Sequence, residues 1–319
     1  MHAYLQFERP IAELEGKIVE LRKLAEEDPT MDIGADVGRL QARADQLIKE
    51  TYAKLTPWQK ALVARHPARP HFLDYAHHLF DEFTPLAGDR AFGEDNAIVA
   101  GLGRFRGRAV AIIGQEKGND TKTRLKHNFG AAMPEGYRKA HRLFEMADRF
   151  GLPVLSFADT SGAYPGVSAE ERGQAEAIAR STQAGLALRV PFIATIIGEG
   201  MSGGAIAIAT ANRVYMLEHA IYAVISPEGC ASILWRSPEK VQDAAAAMRI
   251  TAQDLLELKV IDGIVPEPVG GAHRAPEETI HAVGEQIATA LAELEQSSGD
   301  ELRKRRRDKF LAMGRDLTV

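Results

Sequence analysis

An α/β domain with a mostly parallel sheet, preceded by a helical region, is the fold class this chain predicts. Three observations carry it. From about Asn96 onward, short apolar runs alternate with longer segments of helical periodicity. Before residue 70, the apolar residues recur at helical spacing alone. Two of the apolar runs end in a glycine-containing stretch that opens toward a helix, the place where an α/β sheet exposes unpaired backbone N–H groups.

The 319 residues are 45% hydrophobic and 26% charged, with a formal net charge of −5. This is an ordinary soluble composition with ample material for a core. It argues against binding nucleic acid or an acidic membrane through bulk charge. A single cysteine, Cys230, excludes an internal disulfide and a four-cysteine zinc site built by this chain alone. Met1–Glu15 lacks a basic-then-apolar signal pattern, and no apolar run approaches the ~20 residues of a membrane helix. The expectation is a soluble, cytoplasmic protein that makes no membrane contact.

Helices are predicted over 10–28, where Ile11, Leu14, Ile18, Leu21 and Leu24 form a stripe, and over 35–65, carried by Leu40, Leu47, Tyr52 and Leu55. Asp28-Pro29 breaks the first. His66–Pro70 reads as a linker, and a third helix follows over 72–83. Ala97–Phe105 and Ala109–Gly114 read as a strand pair turning at Arg106-Gly107-Arg108. A polar loop over 117–128 leads to a helix at 135–150, a strand at 153–159, the turn 160–166 and a helix at 168–188. Val190–Ile197 reads as a buried strand, Gly198–Gly204 as a glycine-rich turn, and Ala205–Ala211 as a short buried helix. Strands at 214–217 and 222–225, a turn at 226–229, helices at 239–248 and 251–258, a strand at 263–265 and a helix at 276–295 complete the pattern. The segments 97–150, 153–188 and 192–225 are loosely alike, as if one β-β-α unit were reused. Leu302–Lys309 is strongly basic and reads as a solvated helix end, with a partner contact as the second reading.

Gly198–Gly204 fits three chemistries on spacing. Gly198-x-Gly200-x-x-Gly203, with Glu218 about twenty residues on, matches a dinucleotide fingerprint, but the following helix is short for it. Gly200-Met201-Ser202-Gly203-Gly204 matches a nucleophile elbow, with Asp262 and His273 downstream in hydrolase order, but no upstream oxyanion segment accompanies it. The third chemistry is an oxyanion hole without a nucleophile, in which Gly203 and Gly204 aim N–H groups from a helix start. No histidine lies near in sequence, which favours chemistry in which the substrate or cofactor carries the proton. The stretch Asp159–Gly166 is a second such strand end, and the two could line one groove.

Asp159-Thr160-Ser161-Gly162-Ala163-Tyr164-Pro165-Gly166, followed by Ala169–Gln174, resembles the signature of the acyl-CoA carboxyltransferases. Gly198–Ala205, Ser226–Ala231 and Pro266–Arg274 follow in the family's order, and Pro10–Glu15 and Leu86–Arg90 extend the likeness almost end to end. Ser161 stands where the family commonly has proline. The resemblance is to the α-type subunit of bacterial acetyl-CoA carboxylase carboxyltransferases. It implies a crotonase (ClpP/crotonase-like) fold of repeated β-β-α units with a C-terminal helix, an N-terminal helical extension over 1–70, a carboxyltransferase domain over 71–295 (reaching back to about 35 on the wider reading) and a basic C-terminal tail over 296–319. It further implies an α2β2 assembly whose β partner carries zinc, with no metal in this chain. Carboxyl transfer would run from carboxybiotin, on a separate biotin carboxyl carrier protein, to acetyl-CoA. The product would be malonyl-CoA, the first committed step of fatty acid synthesis. Biotin carboxylase would be another chain, since no Met-Lys-Met site or P-loop occurs here. On this likeness the Gly203 and Gly204 amides hold the biotin oxygen, while Gly162, Ala163, Tyr164, Gly200, Ser202 and Ala205 line the substrate groove. Lys117, Lys122, Arg124 and Lys126 form a basic loop that could meet CoA phosphates or the carrier. The alternatives are a serine hydrolase using Ser202 and a non-catalytic scaffold. Cys230 reads as a buried small residue.

Overall fold

The computed structural model describes residues 3–28 and 31–315. Helices α1 (Arg9–Glu27) and α2 (Gly34–Tyr52) pack as a pair, burying Ile11 and Ile18 on one and Ala44, Ile48 and Tyr52 on the other. Pro29, expected to break the first helix, lies outside the described residues. The single helix expected over 35–65 is two, because α3 (Pro57–Ala64) starts afresh. Thr56 Oγ1 accepts from Gln59 N–H at 3.2 Å, and Gln59 Oε1 accepts from Thr56 N–H at 2.8 Å. This reciprocal cap, with proline at the first helical position, is a start signal that the apolar stripe conceals.

Helix α4 (Phe72–Leu79) stops short of residue 83, because β1 (Asp81–Pro85) pairs antiparallel with β2 (Ile98–Phe105). β2 and β3 (Arg108–Gln115) form a hairpin whose two turn residues, Arg106 and Gly107, have φ of 49° and 79°. Positive φ at both positions matches the twist of the flanking strands. The loop expected over 117–128 contains α5 (Thr121–Lys126), capped by Asp120 through Thr123 N–H at 2.7 Å. Helix α6 (Pro134–Phe150) ends at Gly151 in the left-handed region and leads to β4 (Val154–Thr160). The helix expected over 168–188 is split into α7 (Val167–Glu170) and α8 (Gln174–Ala187), with Gly173 at φ 80° between them.

β5 (Phe192–Met201) overturns the expected turn at 198–204: the strand runs straight through Gly198, Glu199 and Gly200. The glycines serve close packing. A Cβ on Gly198 would lie 2.4 Å from Asp159 Oδ1, and one on Gly200 would lie 2.8 Å from the Tyr222 ring. The chain reverses only at Ser202, whose φ is 55°, to enter α9 (Ser202–Ala209). β6 (Arg213–Leu217) pairs with the first half of β5, and β7 (Ile221–Ala223) with its last residues. Ser226–Gly229, expected as a turn, is the capped start of α10 (Pro227–Trp235), with Ser226 Oγ accepting from Gly229 N–H at 3.1 Å. Helices α11 (Val241–Ala247) and α12 (Ala252–Glu257), strand β8 (Gly263–Val265), and helices α13 (Pro276–Leu294) and α14 (Gly299–Ala312) follow.

The sheet order is β1-β2-β3-β4-β5-β6-β8, with β7 joined to β5. It is parallel from β3 onward. Neighbouring side chains of a strand point to opposite faces. Phe192, level with Val154, therefore faces α6 and meets Phe144, with ring centroids 5.3 Å apart. Phe157, three residues beyond Val154, faces the other way, toward Phe72 and Tyr75 of α4, each at 5.6 Å. Burying each such ring stabilises the fold by about 1.5–3 kcal/mol.

The basic tail is not simply a solvated helix end. Arg306 of α14 is fully buried. It donates to Leu188 O at 2.6 Å, Val190 O at 3.0 Å and Asn212 Oδ1. Lys309 Nζ reaches Asp262 at 2.7 Å. Arg306→Met would remove this donor from the Leu188 and Val190 carbonyls, at about 1–3 kcal/mol each, while Asn212 Oδ1 keeps the Phe192 N–H at 3.2 Å. The expected result is release of α14, read as faster limited proteolysis within 299–312, with β-sheet content retained.

Candidate functional site

The strand ends of β4 and β5 lie side by side, with Thr160 in register with Gly200. This brings the two glycine stretches together. A Cβ on Gly204 would lie 2.8 Å from Ala163 N and 3.0 Å from Gly162 C, so the approach requires a bare Cα at 204. Gln115, at the end of β3, locks the arrangement from below. Its Nε2 donates to Gly204 O at 2.7 Å and its Oε1 accepts from Asp159 N–H at 3.1 Å.

The N–H groups of Ser202, Gly203 and Gly204 begin α9 and have no intrahelical acceptor. The helix adds positive potential there. Ala205, Ala207 and Ala209 are buried, so α9 sits deep against β4 and β5. Among the described residues no backbone acceptor is found for Ala163 N–H. The Tyr137 hydroxyl, fully buried and without a hydrogen-bond partner among the described residues, lies 3.2 Å from the Cβ position of Gly204. Burial, then the nearby Asp95, pushes its pKa up, so it stays a neutral donor. Gly162, Ala163, Tyr164, Ser202 and Gly203 are partly exposed, while Gly200, Gly204 and Ala205 are buried. The Tyr164 ring folds over Gly166, where a Cβ would be 2.2 Å away.

Beside these amides runs a buried charge network. Lys117 Nζ lies 2.8 Å from both Asp159 Oδ1 and Glu199 Oε2. Arg65 Nε reaches Glu199 at 2.5 Å, and His71 Nδ1 hydrogen-bonds Asp159 Oδ2 at 3.1 Å. Burial opposes the charge on Lys117, Asp159 and Glu199, but the opposite charges outweigh it. Lys117 is held above its ordinary pKa by Asp159 and Glu199, and Glu199 is held below its own by Lys117 and Arg65. Asp159 is likewise held well below the carboxylate range by Lys117 and His71. A second buried pair, Arg69 and Glu267, is bidentate at 2.9 and 2.5 Å. Arg69 Nε also donates to Ile197 O at 2.7 Å, tying the linker to β5.

The family model described as acetyl co-enzyme A carboxylase carboxyltransferase-like matches residues 4–314. The chain belongs to this family. A relative in Rhizobium johnstonii named acetyl-coenzyme A carboxylase carboxyl transferase subunit alpha is 67% identical over 317 residues, which are 99% of this chain and 100% of that protein. The protein of the same name in Agrobacterium fabrum is 65% identical over the same shares. Among solved structures, the transcarboxylase 12S core superposes with a TM-score of 0.59 at 19% identity, over 72% of this chain and 42% of that one. A chain of the Pseudomonas malonate decarboxylase hetero-tetramer gives 0.56 at 18% identity, over 68% and 85%. The crotonase-like carboxyltransferase fold with its repeated β-β-α elements is therefore the fold of this chain.

The competing spacings dissolve in three dimensions. Gly198 and Gly200 of the dinucleotide pattern lie inside a strand, and Glu218 accepts from Glu267 N–H at 3.1 Å. For a hydrolase, Ser202 has the sharp backbone of an elbow, but its partners are elsewhere. Asp262 binds Val214 N–H at 2.7 Å and Lys309, and His273 stacks on His66 with centroids 3.8 Å apart. Glu8, His66 and His273 place three ligand-type atoms within 4.8 Å of one another. Both His66 nitrogens are already used, by Ala68 N–H at 3.2 Å and Ala3 O at 2.6 Å, which leaves a poor metal site. Burial is the main cause that lowers the His273 pKa to about 3, so its ring is neutral.

Of the expected basic loop, Lys117 is a network residue rather than a loop cation. Cys230 is half-buried and lines a cavity rather than being fully buried. Gln115, Arg65, His71 and Tyr137 were not singled out by the sequence. Nothing local marks them, since each acts on a residue 44 or more positions away or, for Tyr137, on a turn with which it shares no motif.

Among the described residues, no helix is long and apolar enough to cross a membrane.

Proposed function

We infer that this chain is the alpha subunit of the carboxyltransferase of acetyl-CoA carboxylase. It catalyses transfer of the carboxyl group from carboxybiotin to acetyl-CoA, forming malonyl-CoA. The observation that carries the reading is the 67% identity to a protein of that name over nearly the whole chain. The backbone donors at the start of α9 support it.

Bound carboxybiotin would supply a carboxyl group and an oxygen on which negative charge develops. The residues present fit such a group. Gly203 and Gly204 offer unpaired N–H groups in a cradle that any side chain at 204 would fill, and Ala163 N–H adjoins the same cradle. Their part is to donate to that oxygen as charge builds, which is worth about 3–4 kcal/mol per donor in comparable sites. Gln115 and Asp159 hold the two backbone segments in place, so little reorganisation accompanies the charge change. Ser202 contributes its sharp backbone rather than its hydroxyl. Gly162, Ala163, Tyr164, Gly200 and Ala205 form the wall and floor of the groove.

Acetyl-CoA activation falls to a β subunit, with zinc in that partner, in an α2β2 assembly served by the biotin carboxyl carrier protein and biotin carboxylase. Exposed apolar residues support a partner near the site. Ile233 and Leu234 of α10 are 68% and 67% exposed, and Ile206, Val224 and Cys230 line an apolar cavity of about 620 Å³. Patches of this kind mark interfaces. On this reading the chain divides at about residues 70 and 295 into helical region, carboxyltransferase domain and tail.

Combined with the β subunit, the chain is expected to decarboxylate malonyl-CoA in a reaction that requires free biotin. The chain alone is expected to be inactive. Failure of the combined proteins to turn over malonyl-CoA would overturn the assignment and favour a scaffold.

A further inference from the structure

We propose that α5 and the turn that follows it are the docking platform for the carrier, a small protein domain with an acidic surface that delivers its tethered biotin to the Gly162–Gly204 groove. This rests on the functional reading above and assigns a surface to it.

The platform is defined by what it exposes. Leu125 and Phe129 are 66% and 53% exposed. Lys122 and Lys126 are exposed beside them, with Arg124 half-buried. None of the three cations has an ion-pair partner within 4 Å among the described residues, whereas cations such as Arg39, Arg104 and Arg180 are paired at the surface. Asp120, which caps α5, interacts with Arg124, but three cations against this one acid leave the helix net positive on a chain whose net charge is −5. An acidic partner would be repelled by the molecule as a whole and drawn to this patch, which orients the encounter.

The platform is also rigid and coupled to the groove. Asn128, Phe129 and Gly130 have φ of 46°, 54° and 78°. Three successive residues in the left-handed region turn the Phe129 ring outward. Asn128 Nδ2 donates to Ala131 O at 2.7 Å. Thr160 Oγ1 donates to Gly130 O at 2.7 Å and accepts from Gly162 N–H at 3.0 Å. One hydroxyl thus joins the platform to the groove wall.

A protein fits this surface better than CoA does. The adjoining cleft, lined by Arg65, His71, Lys117, Arg124 and Phe129, holds about 170 Å³. That is below the ~300 Å³ at which pockets begin to enclose molecules of nucleotide size. Leu125 and Phe129 instead project outward, as anchors for a complementary surface do.

The test uses the assembled complex with its β subunit and compares two reactions. One is carboxyl transfer from the carboxylated carrier protein. The other is malonyl-CoA decarboxylation with free biotin, which needs no docking. The double variant Lys122→Glu with Lys126→Glu, and separately Leu125→Ser, should raise KM for the carrier by about tenfold. The charge effect should shrink as salt rises. The free-biotin reaction, including KM for malonyl-CoA, should be unchanged. Unchanged carrier kinetics would overturn the platform. So would a raised KM for malonyl-CoA, which would mean that the patch holds the coenzyme. Equal loss in both reactions would overturn it as well, as damage to the fold or assembly. Absence of the free-biotin reaction in the unmodified complex would overturn the functional reading itself.

Discussion

Gly204→Ala should lower the rate of carboxyl transfer by about 10²–10³-fold, with the fold retained and stability lowered by about 1–3 kcal/mol. The added methyl would stand 2.8 Å from Ala163 N and 3.0 Å from Gly162 C, both backbone atoms. Backbone held by Gln115 and Thr160 cannot yield cheaply, so the two segments must part, and the unpaired N–H groups lose their common focus. Gly203→Ala is the matched comparison. Its methyl meets only the Ile178 side chain, at 3.2 Å, which a small rotamer adjustment relieves. It should stay within about tenfold of the parent, since alanine keeps the N–H group and suits the helix. Steady-state rates for both variants, each combined with the same partner preparation, decide the matter. Equal effects, or near-normal turnover by Gly204→Ala, would remove the cradle as the working feature.

The largest effect on stability is expected at Arg69. Arg69→Met should destabilise the fold by about 3–5 kcal/mol, the usual result of leaving one member of a buried ion pair uncompensated. Glu267 also accepts from His219 N–H at 3.0 Å and Ala272 N–H at 2.7 Å, so this carboxylate organises the loop 266–274 as well. Burial alone would raise its pKa, but Arg69 outweighs burial and brings it from 4.5 to about 2. A carboxylate depressed by folding contributes stability that is complete above its unfolded pKa and is lost as protons bind. The parent protein should therefore lose that contribution between about pH 4.5 and pH 2. In the variant, Glu267 titrates higher and this acid-linked loss disappears, so the two stability curves converge toward low pH. Urea unfolding at stepped pH measures both. Parallel curves would show that the pair contributes no pH-linked stability.

The parts of this molecule that were legible in sequence are those governed by local rules. Short apolar runs located β2 to β6, and the stripe on α1 located that helix within a residue or two. Misreadings arose where a cap competed with periodicity, as at Thr56-Pro57 and Ser226-Pro227. The most instructive is Gly198–Gly200. Glycine there signalled a turn, but the reason for it lies on another strand, in the side chains of Asp159 and Tyr222. The amides of Gly203 and Gly204 were readable because a helix start exposes them whatever surrounds it. The charge network was not readable, because Arg65, His71, Lys117, Asp159 and Glu199 meet only after the sheet has assembled. Lys117 in particular lies among basic residues in sequence but between two carboxylates in space.

The placement of Arg306 bears on how the chain is made. Its guanidinium joins the residues before β5 to Asn212 after α9, segments translated roughly a hundred residues earlier. While the ribosome still holds α14, the Leu188 and Val190 carbonyls lack this guanidinium, and Asn212 Oδ1 keeps only the Phe192 N–H at 3.2 Å. Completion of the entry to β5 is thus timed to the synthesis of α14. A chain ending before Arg306 should therefore be cut faster by proteases around residues 188–192 than the parent, and equal cleavage rates would show that this clamp is dispensable.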